Sequence, residues 1–155
     1  MNKQQAIDFL TSEGLLTDVD EFGDDKAFVS FKSRGTVIHL ITDENDPLFL
    51  FLKCGYQLEA AERDELFVLR TLRKLQENYK VAKIGYDVDR SSVYATAEQF
   101  VPDGPDFASI FWRTVSLVSS AASDACTEVN AIVSADMAAS RFTSEIEAEI
   151  QSESG

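Results

Sequence analysis

The chain has 155 residues, the size of a single domain, and its 45% hydrophobic content is enough to build one core, which excludes disorder throughout. Lys+Arg 14 against Asp+Glu 27 leaves a net charge of -13, which argues against nucleic acid and anionic membrane as partners, because both recruit clustered positive charge. No apolar run is long enough to span a bilayer, and the start of the chain lacks a signal-peptide core, so a cytoplasmic protein is expected.

Cys54 and Cys126 each stand in an apolar neighbourhood, where a free thiol is commoner than a disulfide. With His39 as its single histidine, the chain cannot build an all-histidine metal site or a multi-histidine acid/base apparatus. Composition therefore points to a binding protein with no cofactor and no metal, and away from an enzyme.

In chain order, Ala6, Ile7, Phe9 and Leu10 recur at helical spacing, and Gly14 stops that first helix. The stretch from Leu15 to Phe22 alternates apolar and polar residues, reads as a strand, and turns at Gly23-Asp24-Asp25. Three strands then form a meander: Lys26 to Ser33, Thr36 to Thr42 after the turn Arg34-Gly35, and Leu48 to Cys54 after a turn ending in Pro47. The last of these is apolar on both faces, with Phe49 and Phe51 alternating with Leu50, Leu52 and Cys54. A helix of the same domain can cover one face; another helix or a second subunit must cover the other.

A second helix is expected over 58–80, with Leu58, Ala61, Val68, Leu69, Leu72, Leu75 and Tyr79 on its core side. A hairpin follows, Val81 to Asp89 and Ser91 to Val101, ended by Pro102-Asp103-Gly104-Pro105. From Asp106 the pattern is helical. A helix unbroken to Ser140 would be about 50 Å long at 1.5 Å per residue, so it must break or leave the domain. Its small middle, Ser119 to Ser123, is either a bend or a place of close approach. The order read from the meander onward, with the first helix before it, is α-β-β-β-α-β-β-α. This makes an α+β domain over 1–140, an antiparallel sheet packed by helices, followed over 141–155 by an acidic, flexible tail.

The chemistry-bearing patterns are thin. The run from Asp18 to Asp24 begins like a calcium loop, but Phe22 and Val29 stand where the fifth and twelfth ligands belong, so it reads as an acidic turn. His39 lies between Ile38 and Leu40 with no nucleophile or carboxylate at a recognisable spacing, and reads as a neutral histidine in or beside the core. No phosphate loop and no nucleophile elbow occurs. Against the acidic background, Arg63, Arg70, Arg73, Lys74 and Lys80 form a cationic strip on the second helix. It is either a solvated face or a dock for an acidic segment such as the tail of a second subunit. Phe49, Phe51, Leu66, Phe67 and Trp112 are surplus apolar groups and the expected contact residues for a partner.

This order of elements, with the run Lys83-Ile84-Gly85-Tyr86-Asp87 after a helix bearing Leu69, Leu72 and Leu75, resembles the YbjN family, described as regulators of bacterial sensory transduction. That family shares its fold with the type III secretion chaperones, and the similarity covers roughly residues 4 to 135. The resemblance implies a noncatalytic homodimer that holds a protein client or regulatory partner on exposed apolar patches. The alternative is a regulatory domain that senses a small ligand in a pocket around His39 and Tyr56.

Overall fold

The computed structural model describes residues 1–46, 48–59, 65–100 and 106–153, with side chains through residue 133. Pro47, Arg63 and the terminator at 101–105 lie outside these residues.

Helix α1 (Lys3–Ser12) is capped by Asn2, whose side chain accepts from the Gln5 amide at 2.9 Å while the Gln5 side chain accepts from the Asn2 amide at 3.0 Å. Gly14, at φ +77°, carries the chain out of the helix. Strands β1 (Thr17–Phe22), β2 (Lys26–Ser33), β3 (Thr36–Asp43) and β4 (Phe49–Gln57) follow, then α2 (Glu65–Gln76), β5 (Ala82–Asp87), β6 (Ser92–Phe100) and α3 (Phe107–Glu153). The expected order thus gains one strand. The alternating stretch after Gly14 pairs with β2 from Thr17↔Phe31 to Phe22↔Lys26, because its period-2 pattern lays apolar Val19 against Val29.

All neighbours in the six-stranded sheet pair antiparallel, in the order β1-β2-β3-β4-β6-β5, so the fold is α+β. Arg34 and Gly35, at φ 50° and 83°, make the tight hairpin turn that sets Ser33 opposite Thr36. Helix α2 is shorter at its C-terminal end than expected, and Leu58 is buried at the end of β4 instead. The Gln76 side chain ends α2: its amide donates to the carbonyls of Tyr79 and Ala82 at 3.0 and 2.8 Å, and its carbonyl accepts from the Ile84 amide at 2.7 Å. Val68 and Leu72 face the core, with Leu75 partly buried against it, whereas Leu69, one residue round from Val68, is exposed.

The three helices pack on one face of the sheet. Val29, Phe31, Ile38, Leu40, Leu50, Leu52 and Cys54 form a buried cluster with Ala6 and Leu10 of α1 and Phe111, Val115 and Val118 of α3. A second cluster joins Val68 and Leu72 of α2 to Val93, Ala125 and Val129. Helix α3 does not break at its small middle. Ala121 and Ala122 are fully buried in the cluster that holds Ala82, Ala95 and Ala97, so small residues on both sides let the helix lie close to the sheet. The 47 residues of α3 correspond to about 70 Å. A nine-residue strand spans about 30 Å, so the helix outruns the sheet. The segment from 141, expected to be flexible, has helical backbone to Glu153. Among the described residues no helix is long and apolar enough to cross a membrane.

Candidate binding face of the sheet

With every helix on one side, the other face of the sheet has no described element over it. Alternation along each strand decides what that face presents. One row crosses four strands as Phe28↔Ile41↔Phe51↔Glu98, and Asp20 pairs with Phe28 at its β1 end. Beside it Phe49 opposes Phe100, their rings 5.5 Å apart and edge-on, and Phe22 stacks on Phe28 at 4.4 Å. Phe28, Ile41, Phe49 and Phe51 are half-buried and Phe100 is 74% exposed. This end of the face is an apolar strip.

The other end is polar. The next row runs Asp18↔Ser30↔His39↔Lys53↔Thr96↔Lys83. Ser30 Oγ and His39 Nδ1 are 2.8 Å apart, and the Phe28 ring meets the imidazole edge-on at 5.9 Å. Burial first, and the Lys53 ammonium second, hold the His39 imidazole below its usual range, so it is neutral at neutral pH. Lys53 Nζ lies 4.6 Å over the Tyr94 ring. That ring crosses Gly85, where an added Cβ would come within 2.4 Å of Tyr94 Cζ. Only a glycine leaves room for it. Ser30, His39, Lys53 and Tyr94, with Asp87 and Arg90, line a groove of about 560 Å³, open to solvent. The Tyr56 hydroxyl is 2.7 Å from Thr36 Oγ1, and Asp87 pairs with Arg90 at 3.8 Å.

The residues expected to contact a partner fall on separate surfaces. Phe49 and Phe51 share the uncovered face of β4. Leu66 and Phe67 lie on α2, on the helix side of the sheet, with Leu66 exposed and Phe67 half-buried. Trp112 braces α3 instead: it meets Phe31 and Phe111 edge-on, and its Nε1 donates to Glu13 Oε2 at 2.9 Å. Of the cationic strip, Arg70, Arg73, Lys74 and Lys80 are exposed. His39 and Tyr56 both border one open groove, but the Tyr56 side chain turns to the helix face, packed against the core and bonded to Thr36, so the two do not close a pocket. Ser30, Lys53, Tyr94 and Arg90 were not singled out from the sequence as site residues. The Ser30 partner follows from the hairpin turn at Arg34-Gly35, which pairs strand positions symmetrically about itself.

No protein-family model matches the sequence, and no curated protein matches it. Among solved structures, the chain is similar to an uncharacterized protein from Methanothermobacter thermautotrophicus, with a TM-score of 0.60 at 12% identity over 81% of this chain and 94% of that one. Likeness at that identity speaks to the fold alone.

Proposed function

We propose that this chain is a noncatalytic protein-binding module of the type III secretion chaperone-like kind, which holds an extended polypeptide segment on the uncovered face of its sheet. The observation that carries the reading is the apolar strip of Phe28, Ile41, Phe49, Phe51 and Phe100, aligned across neighbouring strands. Flat apolar surface of this kind on a soluble domain marks a contact site, and an extended chain with alternating apolar side chains matches its row spacing. The face, more than the β1 edge, is the contact surface, since Asp18, Asp20 and Glu21 along β1 place charge where a strand would add. Element order and the Lys83 to Asp87 run support kinship with the YbjN family.

The test is an array of extended peptides with alternating apolar residues, probed with the full chain and with a Phe28→Ser, Phe51→Ser variant. Retention of a subset by the wild type, weakened about thirtyfold in the variant as for loss of a central aromatic anchor, supports the reading. Retention of none, or equal retention by the variant, sinks it.

A second reading, small-ligand sensing, draws on the convergence of His39, Lys53, Tyr94, Asp87 and Arg90 on one groove. It predicts thermal stabilisation by a charged small molecule that Lys53→Ala abolishes and Phe51→Ser leaves intact.

A further inference from the structure

On the helix side of the sheet, away from the strip just described, a groove of about 860 Å³ runs between α2 and α3. Phe67, Leu75 and Ile132 supply its apolar, half-buried lining, and Arg70, Arg73 and Lys74 stand exposed around it. Glu77 and Glu128 also line it, yet among the described residues no carboxylate comes within ion-pair distance of those three cations. In a chain of net charge -13, three cations held together without an ion pair call for an acidic occupant.

We infer that the groove takes the C-terminal end of α3 from a second copy of this chain. Residues 142–155 carry Glu145, Glu147, Glu149 and Glu153 and no Lys or Arg, while Phe142, Ile146 and Ile150 recur every fourth residue, the spacing of one side of a helix. The segment is thus acidic and amphipathic, complementary to a groove that is apolar inside and cationic around. Helix α3 is continuous from Phe107 to Glu153, and Phe142 lies about 15 Å beyond Ile132 along it. The tail therefore cannot turn back onto the groove that Ile132 of its own chain lines, and the occupant belongs to another copy. Two α3 helices crossing antiparallel about residues 138–139 bring the tail of each copy to the groove of the other. Both grooves are then filled and the assembly closes as a two-fold dimer.

The experiment is light scattering behind size exclusion on the full chain, with circular dichroism to verify folding. The wild type is expected to be a dimer that weakens between 0.1 M salt, where the Debye length is about 10 Å, and 1 M, where it is about 3 Å. Arg70→Glu, Arg73→Glu, Lys74→Glu in one variant and Glu145→Lys, Glu147→Lys, Glu149→Lys in another each lower self-association by at least about a hundredfold, since ion pairs at two equivalent grooves become repulsions. Mixing the two variants restores a dimer, because the reversed groove then meets the reversed tail and the native groove meets the native tail. A wild-type monomer, two variants that still dimerise, or a mixture that stays monomeric overturns the inference. A dimer that survives both charge reversals but is lost with Phe28→Ser, Phe51→Ser assigns self-association to the sheet face instead.

Discussion

Gly85 and Tyr94 provide the sharpest test of how the polar groove is built. They pair directly across β5 and β6, and a Cβ at Gly85 would lie 2.4, 2.5 and 2.8 Å from Cζ, Oη and Cε2 of the Tyr94 ring. The alanine of Gly85→Ala can be accommodated only if the ring swings off the sheet. That forfeits the Lys53 contact, worth about 0.5–1 kcal/mol at an exposed site, and the cross-strand packing, worth about 0.2–1 kcal/mol. Against this, alanine in a strand interior gains about 0.5–1 kcal/mol over glycine. The single substitution should therefore be near neutral or slightly destabilising in the native background. In a Tyr94→Ala background nothing opposes the new methyl, and the same substitution should stabilise by about 0.5–1 kcal/mol. The coupling is about 0.7–2 kcal/mol, measurable by urea unfolding followed through Trp112, the single tryptophan. Coupling below about 0.5 kcal/mol, the usual scatter of independent sites, would refute the account of the ring's seat.

Two further outcomes follow from titratable groups. The His39 pKa is lower in the folded chain than in the unfolded one, so the unfolded state binds more protons between the two values. Its contribution to stability is complete above about pH 6.5 and is lost as pH falls toward the folded pKa; urea midpoints of His39→Gln should lack that component of the acid decline, and an unchanged pH profile counts against it. Burial pushes the Cys54 thiol up to about 11, so a thiol reagent at pH 8 should modify Cys54 only after unfolding. Modification of Cys54 in the native state at the rate of a free thiol would show that the core opens there.

Most of the scaffold was legible because it is local. The stop at Gly14 and the tight turn at Arg34-Gly35 are short-range signals, and the alternation of β2 and β3 states which side chains face the core. The same turn makes Ser30 the partner of His39, a consequence open to arithmetic along the hairpin once the turn is known. The Lys53 contact with Tyr94 was not open to it, since it needs β4 beside β6, two strands separated by all of α2 and β5. Trp112 misled for a related reason: off the main stripe of α3 it looks surplus, but Glu13 at the end of α1 comes within hydrogen-bonding distance. The small centre of α3 was ambiguous because serine and alanine suit both a bend and close packing, and only Ala95 and Ala97 on the facing sheet decide between them.

The register also constrains the chemistry of a bound segment. The row Phe28, Ile41, Phe51 is bounded by Asp20 on β1 and by Glu98 on β6, and Glu98 already pairs with Lys83 at 3.3 Å. Asp43, beyond Ile41 on the same strand and face, pairs with Lys26 at 3.2 Å, and hydrogen bonds from Asn45 and Lys26 hold its carboxyl below the usual range. An apolar strip edged by carboxylates accepts a segment whose centre is apolar and whose flanks are neutral or basic, and repels one with acidic flanks at close range. The α2–α3 groove has the opposite preference. On the two proposals above, an acidic tail would favour the groove over the sheet face, and self-association and client binding would use different surfaces of one small domain. Lysine flanks on an apolar peptide should strengthen retention on the array and glutamate flanks should weaken it.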